Sequence, residues 1–529
     1  MATNMSNGHD KITNGVSNST GSYSVPQEAQ KVFENGILNN PLIAPTLPDG
    51  IADAAAKVRF EGSDKPSIPI NWRFAESIAA LKGLEAAMIN VLLQRKYGVE
   101  AQEAVINTDH AQLFFMSILL NTIDPDNEAI SFSLPNTSAY AKYFKNTDLH
   151  NQTSSPYRAA AINIYRCADD RFFHIHGSMD PQPTQDCLGL PHEMDAPTPE
   201  DSWAPYAEKV GKVKSGEMQR LASDVFKQAG TVCWTKEEFA QSEHGKANAH
   251  VGLYEVHRAE NAKQNLTRVI AAPAVTRGLA ELGASVMRVT AEHITDMSVL
   301  HVDLNWGKWN AHLDFCKEED RETLRDLVRE ADVVVQGYRP GVLDKYGFSP
   351  DDLLELTKHR DRGLIVVREN CYGWYGPWSY RSGWQQISDA NCGVSMDFGR
   401  AMGNNEPVTP LALNYYSQWF VSSVGVYPPS IWDEVWTRNG RQVFRHYHNM
   451  GYTLPRFMQM LKANAGDVVL KPEFFEKRHS GAIGRDVLCV RPIIRYPRGG
   501  VELKYNVGTR GNGVDRARWP ADLMTEVVV

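Results

Sequence analysis

Two stretches of the sequence hold side chains that could do chemistry. The first is HIHGSMD, in which His174, His176 and Asp180 could bind a metal ion or move a proton. The two histidines are two residues apart, so on a strand both would point to one face. A third ligand at a known metal-site spacing is missing. We therefore predict hydrogen-bonded histidines and no metal site.

The second stretch is CYGWYGPWSYRSGW, residues 371–384, in which glycines alternate with aromatic residues. Glycines let a ligand approach the backbone closely, and aromatic rings offer flat apolar walls. Open parallel sheets bind ligands at the carboxyl ends of their strands, and an apolar run precedes this stretch. We predict a pocket loop, with an ordinary glycine- and proline-rich surface loop as the alternative.

A third stretch, 403–423, is unusual for what it lacks. Between Asp397 and Asp433 the only acidic side chain is Glu406. Four aromatic residues, Tyr415, Tyr416, Trp419 and Phe420, lie close together in the same stretch. The stretch is either a catalytic segment without its carboxylate or a piece of core that never carried one.

The elements that must position these residues alternate regularly after residue 266. Short apolar runs predict strands, and amphipathic segments predict helices between them, an order typical of a parallel sheet with crossover helices. The predicted strands are 266–272, 284–289, 332–337 and 363–368, and the predicted helices are 273–283, 318–331 and 349–360. Neither GxGxxG nor a P-loop follows the first strand, so no nucleotide-binding fingerprint is present.

Two further elements are predicted nearer the N-terminus. Residues 73–97 predict a long amphipathic helix that ends before Gly98, with an apolar stripe formed by Phe74, Ile78, Leu81, Met88 and Leu92. Residues 162–166 and 171–177 predict a β-hairpin.

Length and composition exclude several classes of protein. A chain of 529 residues is too long for one hydrophobic core, so two or more packed units are expected. The net charge is −8 and the basic residues are scattered, which argues against a nucleic-acid partner and favours a small molecule. The sequence contains no run of eighteen apolar residues, so no membrane span is predicted.

Two features predict a cytoplasmic protein. The seven cysteines include no CxxC pair, and the polar N-terminus has no signal-peptide core.

Four motifs, in order over residues 266–410, resemble the family III CoA-transferases, the group of formyl-CoA transferase, carnitine CoA-transferase and the alpha-methylacyl-CoA racemases. They are TRVIAAPAVTRGLAELGASVMRV, LNWGKWNAHLDF, ADVVVQGYRPGVLDKYGF and VRENCYGWYGPWSYRSGWQQISDANCGVSMDFG. Three N-terminal stretches, ESIAALKGLEAAMINVLLQRKYG, INTDHAQLF and HIHGSMDPQPTQDCLGLP, are similar to the long fungal branch of that family.

The resemblance implies an α/β fold with a Rossmann-like parallel-sheet large domain and a second, smaller domain. We divide the chain into a disordered tail (1–25), a helical and mixed N-terminal region (26–255), the Rossmann-type core (256–425) and a C-terminal region (426–529). Bacterial relatives form interlinked dimers, which implies a homodimer here. The relatives move CoA between carboxylic acids through an aspartate that attacks the acyl-CoA thioester. A coenzyme A thioester is thus a substrate, and no bound cofactor is implied.

The resemblance also assigns binding residues, though no catalytic one. Tyr338 and Lys345 match positions that line the CoA site, and Asn370, Tyr372 and Gly373 match the loop over the active site. Trp374 adds an aromatic wall in the same loop. Lys345 would pair with a CoA phosphate as a point charge, the alternative being a solvated lysine at a helix end.

The chain departs from the family at the catalytic segment. Relatives carry the aspartate after EPVTP in an Asp-x-x-Thr/Ser-Gly turn, and that segment is not found here, so Pro410 and Leu411 form a junction across missing residues. A forced alignment places Asn414 or Tyr416 at the aspartate position, but neither can form an acyl anhydride. Glu406 is too far upstream to take the role by motif.

Two explanations of this gap remain: a lost exon or a genuine deletion. Three functions follow: a CoA-transferase, a fold repurposed in secondary metabolism to cyclise or isomerise an apolar substrate, or a non-catalytic acyl-CoA binder.

Overall fold

The computed structural model describes residues 23–67, 71–132, 137–257, 271–410, 423–438 and 442–529. Its N-terminal region mixes short helices with seven strands. The helices there are α1 Val25–Lys31, α2 Ile51–Ala55, α3 Phe74–Tyr97, α4 Thr108–Ala111, α5 Ser138–Ala141, α6 Pro156–Ala159, α7 Gln182–Leu188, α8 Pro199–Val210, α9 Ser215–Arg220, α10 Lys236–Gln241 and α11 Glu243–Asn248. The strands are β1 Val58–Glu61, β2 Ala104–Asn107, β3 Thr122–Ile123, β4 Ile130–Ser131, β5 Ile162–Arg166, β6 Phe172–His176 and β7 Ala229–Val232.

The central region has the alternation that the sequence predicts. In chain order its elements are α12 Ala271–Glu281, β8 Val286–Thr290, α13 His301–Leu304, β9 Lys308–His312, α14 Glu318–Glu330, β10 Val333–Gln336, α15 Pro350–Thr357, β11 Ile365–Arg368, α16 Gln385–Asn391 and α17 Val394–Arg400. The predicted strands at 284–289, 332–337 and 363–368 and the three crossover helices are confirmed within a few residues. Ser349 begins α15 with the side-chain cap expected of that position, and Asp352 completes a capping box.

The predicted strand 266–272 is corrected at its end. Residues 266–270 lie outside the described part of the chain. Ala271 and Ala272 belong to α12, and the strand prediction is wrong for these two residues. Alanine has the highest helix propensity, and Pro273 is tolerated in a first helical turn, so the helix begins earlier than the apolar run suggests.

The C-terminal region completes sheets that begin near the N-terminus. Its elements are α18 Pro429–Arg438, α19 Met450–Val469, β12 Phe475–Ser480, β13 Arg485–Val490 and β14 Ile494–Arg495. β14 pairs with β2 in the sheet β1-β2-β14, and β13 pairs with β3 in the sheet β12-β13-β3-β4. The N- and C-terminal regions therefore share hydrogen-bonded sheets.

The remaining strands form one antiparallel sheet and two parallel pairs. β5, β6 and β7 are antiparallel, which confirms the predicted hairpin. β8 pairs with β9 and β10 pairs with β11, both in parallel. Helix α12 packs against both β8 and β10 and so connects the two pairs. This parallel-strand and crossover-helix arrangement agrees with the predicted α/β class.

The predicted helix at 73–97 is confirmed as α3, and its predicted apolar stripe is buried in the first half of the helix, at Ile78 and Leu81 as well as Phe74, but not in the second half. Phe74 is buried, whereas Met88 and Leu92 are 38% and 59% exposed. Glu76 and Lys82 are buried instead. Helix α3 packs against α1, α2, β1 and β2, and most of its buried residues lie in its first half. Among the described helices, none combines the length and the apolar character that a bilayer span requires.

The N-terminal tail is described only at its end. Residues 1–22 of the predicted tail lie outside the described part. Tyr23 donates a hydrogen bond from its hydroxyl to Glu76, and Val25 begins α1 at 2% exposure.

Candidate active site at the carboxyl edge of two parallel strands

The chain leaves β10 and β11 at the same edge of the molecule. Gly337 and Tyr338 follow β10, and Glu369 and Asn370 follow β11. The Glu369 amide donates to the Gln336 carbonyl at 2.9 Å, which extends the strand pairing by one residue. Tyr338 and Asn370, both predicted binding residues, are thereby placed on neighbouring strand ends, where open α/β sheets bind ligands.

Glu369 brings a carboxyl group to this edge. A Cβ built on Gly337 would lie 2.9 Å from Glu369 Oε2 and 3.2 Å from the Ala272 side chain, so the carboxyl group lies against the backbone at the end of β10. Glu369 is partly buried, and none of the described residues forms a hydrogen bond or ion pair with its carboxyl group. Burial raises the pKa of Glu369 to about 7. Both protonation states of Glu369 are therefore populated near neutral pH.

Gln336, the last residue of β10, is a second polar side chain at this edge without a partner. It is 0% exposed, and neither its Nε2 nor its Oε1 is hydrogen-bonded to a described residue. A buried polar atom left unpaired costs about 1–3 kcal/mol. Such groups are rare in folded proteins and call for an explanation, for example a ligand that supplies the missing bonds.

Asn370 anchors the glycine-rich loop that follows. Its Nδ2 donates to the Gly373 carbonyl at 2.5 Å and to the Ser379 carbonyl at 2.9 Å. The Gly373 amide in turn donates to the Asn370 carbonyl at 2.9 Å. Gly373 has a φ of +71°, in the left-handed region that favours glycine. Asn370 thus holds the loop through two side-chain hydrogen bonds and one backbone hydrogen bond.

Helix α11 occupies the space that the loop glycines leave open. His244 Nε2 donates to the Tyr372 carbonyl at 2.8 Å, and His244 Nδ1 accepts from the Trp378 amide at 3.2 Å. The His244 ring stacks on the Trp378 ring, with centroids 4.8 Å apart. Asn248 Nδ2 donates to the Tyr375 carbonyl at 2.9 Å. The close approach predicted for a ligand is made on this side by a helix of the same chain.

The other predicted binding residues surround the edge in different environments. Tyr372 is 4% exposed and packs in an apolar cluster with Ile387. Trp374 is partly buried, and the Arg368 guanidinium lies 3.8 Å from its ring centroid. Tyr338 is partly buried against the core beneath β10. Their role in binding stays a prediction.

Lys345 lies in a short 3₁₀ turn, Asp344–Tyr346, and is exposed. Its ammonium is 4.8 Å from the Tyr346 ring centroid. Both interpretations of Lys345, a phosphate contact and a solvated lysine, are compatible with this position.

The paired histidines of the hairpin are buried and hydrogen-bonded. His174 Nδ1 is 2.8 Å from the Ile175 carbonyl oxygen, and His176 Nδ1 accepts from the Ser178 amide at 3.0 Å. The His176 ring stacks on Trp384, with centroids 5.2 Å apart. In the described ranges, no group of three or more His, Cys, Asp or Glu side chains is arranged to hold a metal ion.

The stretch without a carboxylate is described up to Pro410. Glu406 Oε2 lies 2.7 Å from His446 Nδ1, and Arg445 NH1 lies 3.7 Å from Glu406 Oε1, so this carboxylate is held by side chains of the C-terminal region. Asn414, Tyr415, Tyr416, Trp419 and Phe420 lie outside the described residues.

Sequence reasoning missed four residues of this site. Glu369 and Gln336 could have been identified from the sequence, because each is a polar residue at the end of an apolar strand. His244 and Asn248 had none, because no sequence pattern connects α11 to a loop more than a hundred residues later.

Comparison with known proteins agrees with this architecture. The sequence model described as CoA-transferase family III matches residues 265–424, which include α12 to α17. The acetyl-coenzyme A transferase nodX of Hypoxylon pulicicidum is 46% identical over 564 residues, covering 95% of each chain. An acyl-CoA transferase of Gibberella moniliformis is 29% identical and covers 72% of this chain and 69% of its own.

Among solved structures, Rv3272 of Mycobacterium tuberculosis in its orthorhombic form matches with a TM-score of 0.32 and 19% identity, covering 47% of this chain and 94% of that one. The family assignment rests on the sequence relatives and not on this structural likeness. With a relative of 46% identity along nearly its whole length, this chain belongs to CoA-transferase family III.

Proposed function

We propose that this chain binds a coenzyme A thioester at the carboxyl edge of β10 and β11 and moves CoA between carboxylic acids. The observation that carries the proposal is the 46% identity to an acetyl-coenzyme A transferase along 95% of both chains. The unpaired amide of Gln336 and the Glu369 carboxyl group, which binds none of the described residues, support the placement, because both lie beside residues matched to the family's CoA site. Cytoplasmic location, a homodimer and a role in secondary metabolism are further predictions from the sequence.

A second candidate function, acyl-CoA binding without transfer, is favoured by one observation. The sequence contains no Asp-x-x-Thr/Ser-Gly turn at any position. The alignment to nodX spans 564 residues, more than the 529 of this chain, so that relative carries segments without a counterpart here. Without a carboxylate to accept the acyl group, the site would hold a thioester but not exchange its carrier.

One pair of measurements separates these functions. Calorimetry with acetyl-CoA measures binding, and incorporation of isotope-labelled acetate into acetyl-CoA measures exchange without knowledge of the natural acid. Binding with exchange supports the transferase. Binding without exchange supports the binder. A protein that neither binds acetyl-CoA nor exchanges acetate would contradict both functions. The remaining hypothesis would be a fold repurposed to cyclise or isomerise an apolar substrate.

A further inference from the structure

We propose that the Glu369 carboxylate is the acyl-accepting group of this chain, the group that attacks the carbonyl carbon of a bound acyl-CoA thioester. The inference rests on the proposed function and names a catalytic residue that the family motif does not supply. It follows from the position of Glu369, its lack of partners and the engagement of the other buried acids.

The position of Glu369 is the first argument. Its carboxyl group lies against Gly337 at the end of β10, between the strand exit and the start of α12. Tyr338 and Asn370 are its immediate neighbours on the two strand ends. A side chain at residue 337 would meet Glu369 Oε2, so glycine keeps this approach open. Neither β10 nor β11 contains an acidic residue, so Glu369 is the carboxyl group that directly follows this strand pair.

The lack of partners is the second argument. A carboxylate that serves only the fold is normally paired or hydrogen-bonded when it is removed from water, since an unpaired one costs several kcal/mol. Glu369 has neither kind of contact among the described residues. No described residue donates to its oxygens, and burial, which raises the pKa of Glu369 to about 7, leaves a poorly solvated and basic carboxylate above that pH.

Other buried or partly buried acids are engaged elsewhere. Asp296 and Asp515 are bound to arginines. Glu406 is held by His446. Asp389 is 1% exposed, its Oδ1 accepts from Gln385 at 3.0 Å, and its unpaired Oδ2 lies beneath the surface on α16, not at the ends of β10 and β11. Glu369 alone in this set combines partial exposure with a free carboxyl group at the strand edge.

The reaction balances with the proposed substrates alone. A Glu369 oxygen forms a bond to the thioester carbonyl carbon, the carbon–sulfur bond breaks, and CoA leaves as a thiolate, giving an acyl-glutamyl anhydride. The thiolate then attacks the Glu369 carbonyl and releases the first acid as its carboxylate, leaving a glutamyl-CoA thioester. The second carboxylate attacks this thioester to form a new anhydride, and the returning thiolate takes the new acyl group and frees Glu369.

The sequence around Glu369 allows a sharp test. Trypsin cleaves after Arg368 and Arg381, which releases the peptide 369–381, and Glu369 is the only acidic side chain in that peptide. Hydroxylamine converts an anhydride or thioester of a carboxyl side chain into a stable hydroxamate. The full chain is incubated with acetyl-CoA and hydroxylamine, digested and analysed by mass spectrometry. We expect the hydroxamate on peptide 369–381 and not on the peptide with Glu406.

Three variants complete the test. E369Q is expected to bind acetyl-CoA, to give no hydroxamate and to lose acetate exchange by roughly a thousandfold. E369D keeps a carboxyl group and is expected to give the hydroxamate on the same peptide at lower yield. E406Q is the matched control and is expected to keep exchange and labelling. Because the peptide is mapped on the unmodified chain, the test holds even if a variant fails to fold.

Each result bears on the proposal. A hydroxamate on another peptide, or exchange by E369Q at the unmodified rate, overturns the assignment of Glu369 while transfer stands. Acetyl-CoA binding without exchange or hydroxamate also overturns it, while binding stands. A chain that does not bind acetyl-CoA overturns both the proposed function and this inference.

Discussion

The two parallel strand pairs differ in how their buried polar groups are satisfied. Beside β8 and β9, Asp296 Oδ2 accepts from Arg288 at 2.6 Å and from Asn512 at 2.9 Å. Asp515 accepts from Arg510 at 3.0 Å and from the backbone amides of Asn310 and Val528 at 2.8 and 2.9 Å. At this pair, the acids are surrounded by donors from distant parts of the chain.

At β10 and β11 the polar groups have no such neighbours. Gln336 is fully buried with both side-chain polar atoms unpaired, and the Glu369 carboxyl group has no partner among the described residues. Beside β8 and β9 the acids are paired, although Asn310 Oδ1 and His312 Nδ1 on β9 have no partner among the described residues. Paired acids stabilise one arrangement, and unpaired groups cost free energy until something binds them. The contrast therefore lies in the acids: those beside β8 and β9 are bound by donors from distant parts of the chain, and Glu369 is bound by none of the described residues.

Breaking the satisfied network should have the largest effect on stability. We expect Asp515→Ala to lower the free energy of unfolding by about 3–5 kcal/mol, because it leaves the Arg510 guanidinium, which is 0% exposed, without its closest carboxylate. Chemical denaturation measures the change. The exposed pair of Lys358 and Glu355 supplies the control, since Glu355→Ala should leave stability unchanged within error. Equal losses in the two variants would remove the contrast.

The buried carboxyl group of Glu369 should make the free energy of unfolding depend on pH. Folding raises the pKa of Glu369 from 4.5 to about 7, so its contribution is fully present below pH 4.5 and is lost as the pH rises through 7. Between pH 5 and pH 8, the unmodified chain should lose up to about 3 kcal/mol more than Glu369→Gln. Denaturant titrations of both proteins at the two pH values measure this. Parallel losses would show that Glu369 is not desolvated.

A smaller effect on stability is expected from a substitution in the glycine-rich loop that follows Asn370. Gly373→Ala places a methyl group 2.7 Å from Asn248 Oδ1 at a φ of +71°, and we expect a loss of about 1–2 kcal/mol. Asn248→Ala alone loses the hydrogen bond to the Tyr375 carbonyl and is therefore the reference. On that background Gly373→Ala should cost less, and this recovery is the part due to the clash. Thermal unfolding of the single and double variants measures both parts. No recovery in the double variant would contradict the contact between α11 and the loop.

The smallest effect on stability is expected at Lys345. Because the side chain is exposed, Lys345→Ala should not change the melting temperature. If its ammonium pairs with a phosphate, binding of acetyl-CoA should weaken several-fold, and binding of acetyl-pantetheine, which lacks the phosphates, should not. Lys358→Ala is a matched control on another exposed lysine. Unchanged acetyl-CoA binding would identify Lys345 as a solvated lysine.

The crossover elements were predictable because their signals are local. Helices α14 and α15 and strands β10 and β11 follow from apolar periodicity and capping residues within a few positions of each element. The stripe on α3 was wrong at Met88 and Leu92, and it missed the burial of Glu76 and Lys82, because no local pattern reveals which elements pack against each half of the helix. The candidate site could be predicted only in part, for the same reason. The sequence places Glu369 at a strand end, but only the packing shows that its carboxyl group has no partner.

The pairing of β14 with β2 has a consequence for how the protein is made. Ile494 lies opposite Ile106, so this edge of β2 stays open until residue 494, nearly 400 residues later in the chain, has left the ribosome. Contacts between residues so far apart along the chain form slowly, and an uncovered strand edge in a growing polypeptide invites pairing with other chains. Recombinant production should therefore benefit from slow synthesis at low temperature and from chaperones that shield nascent strands.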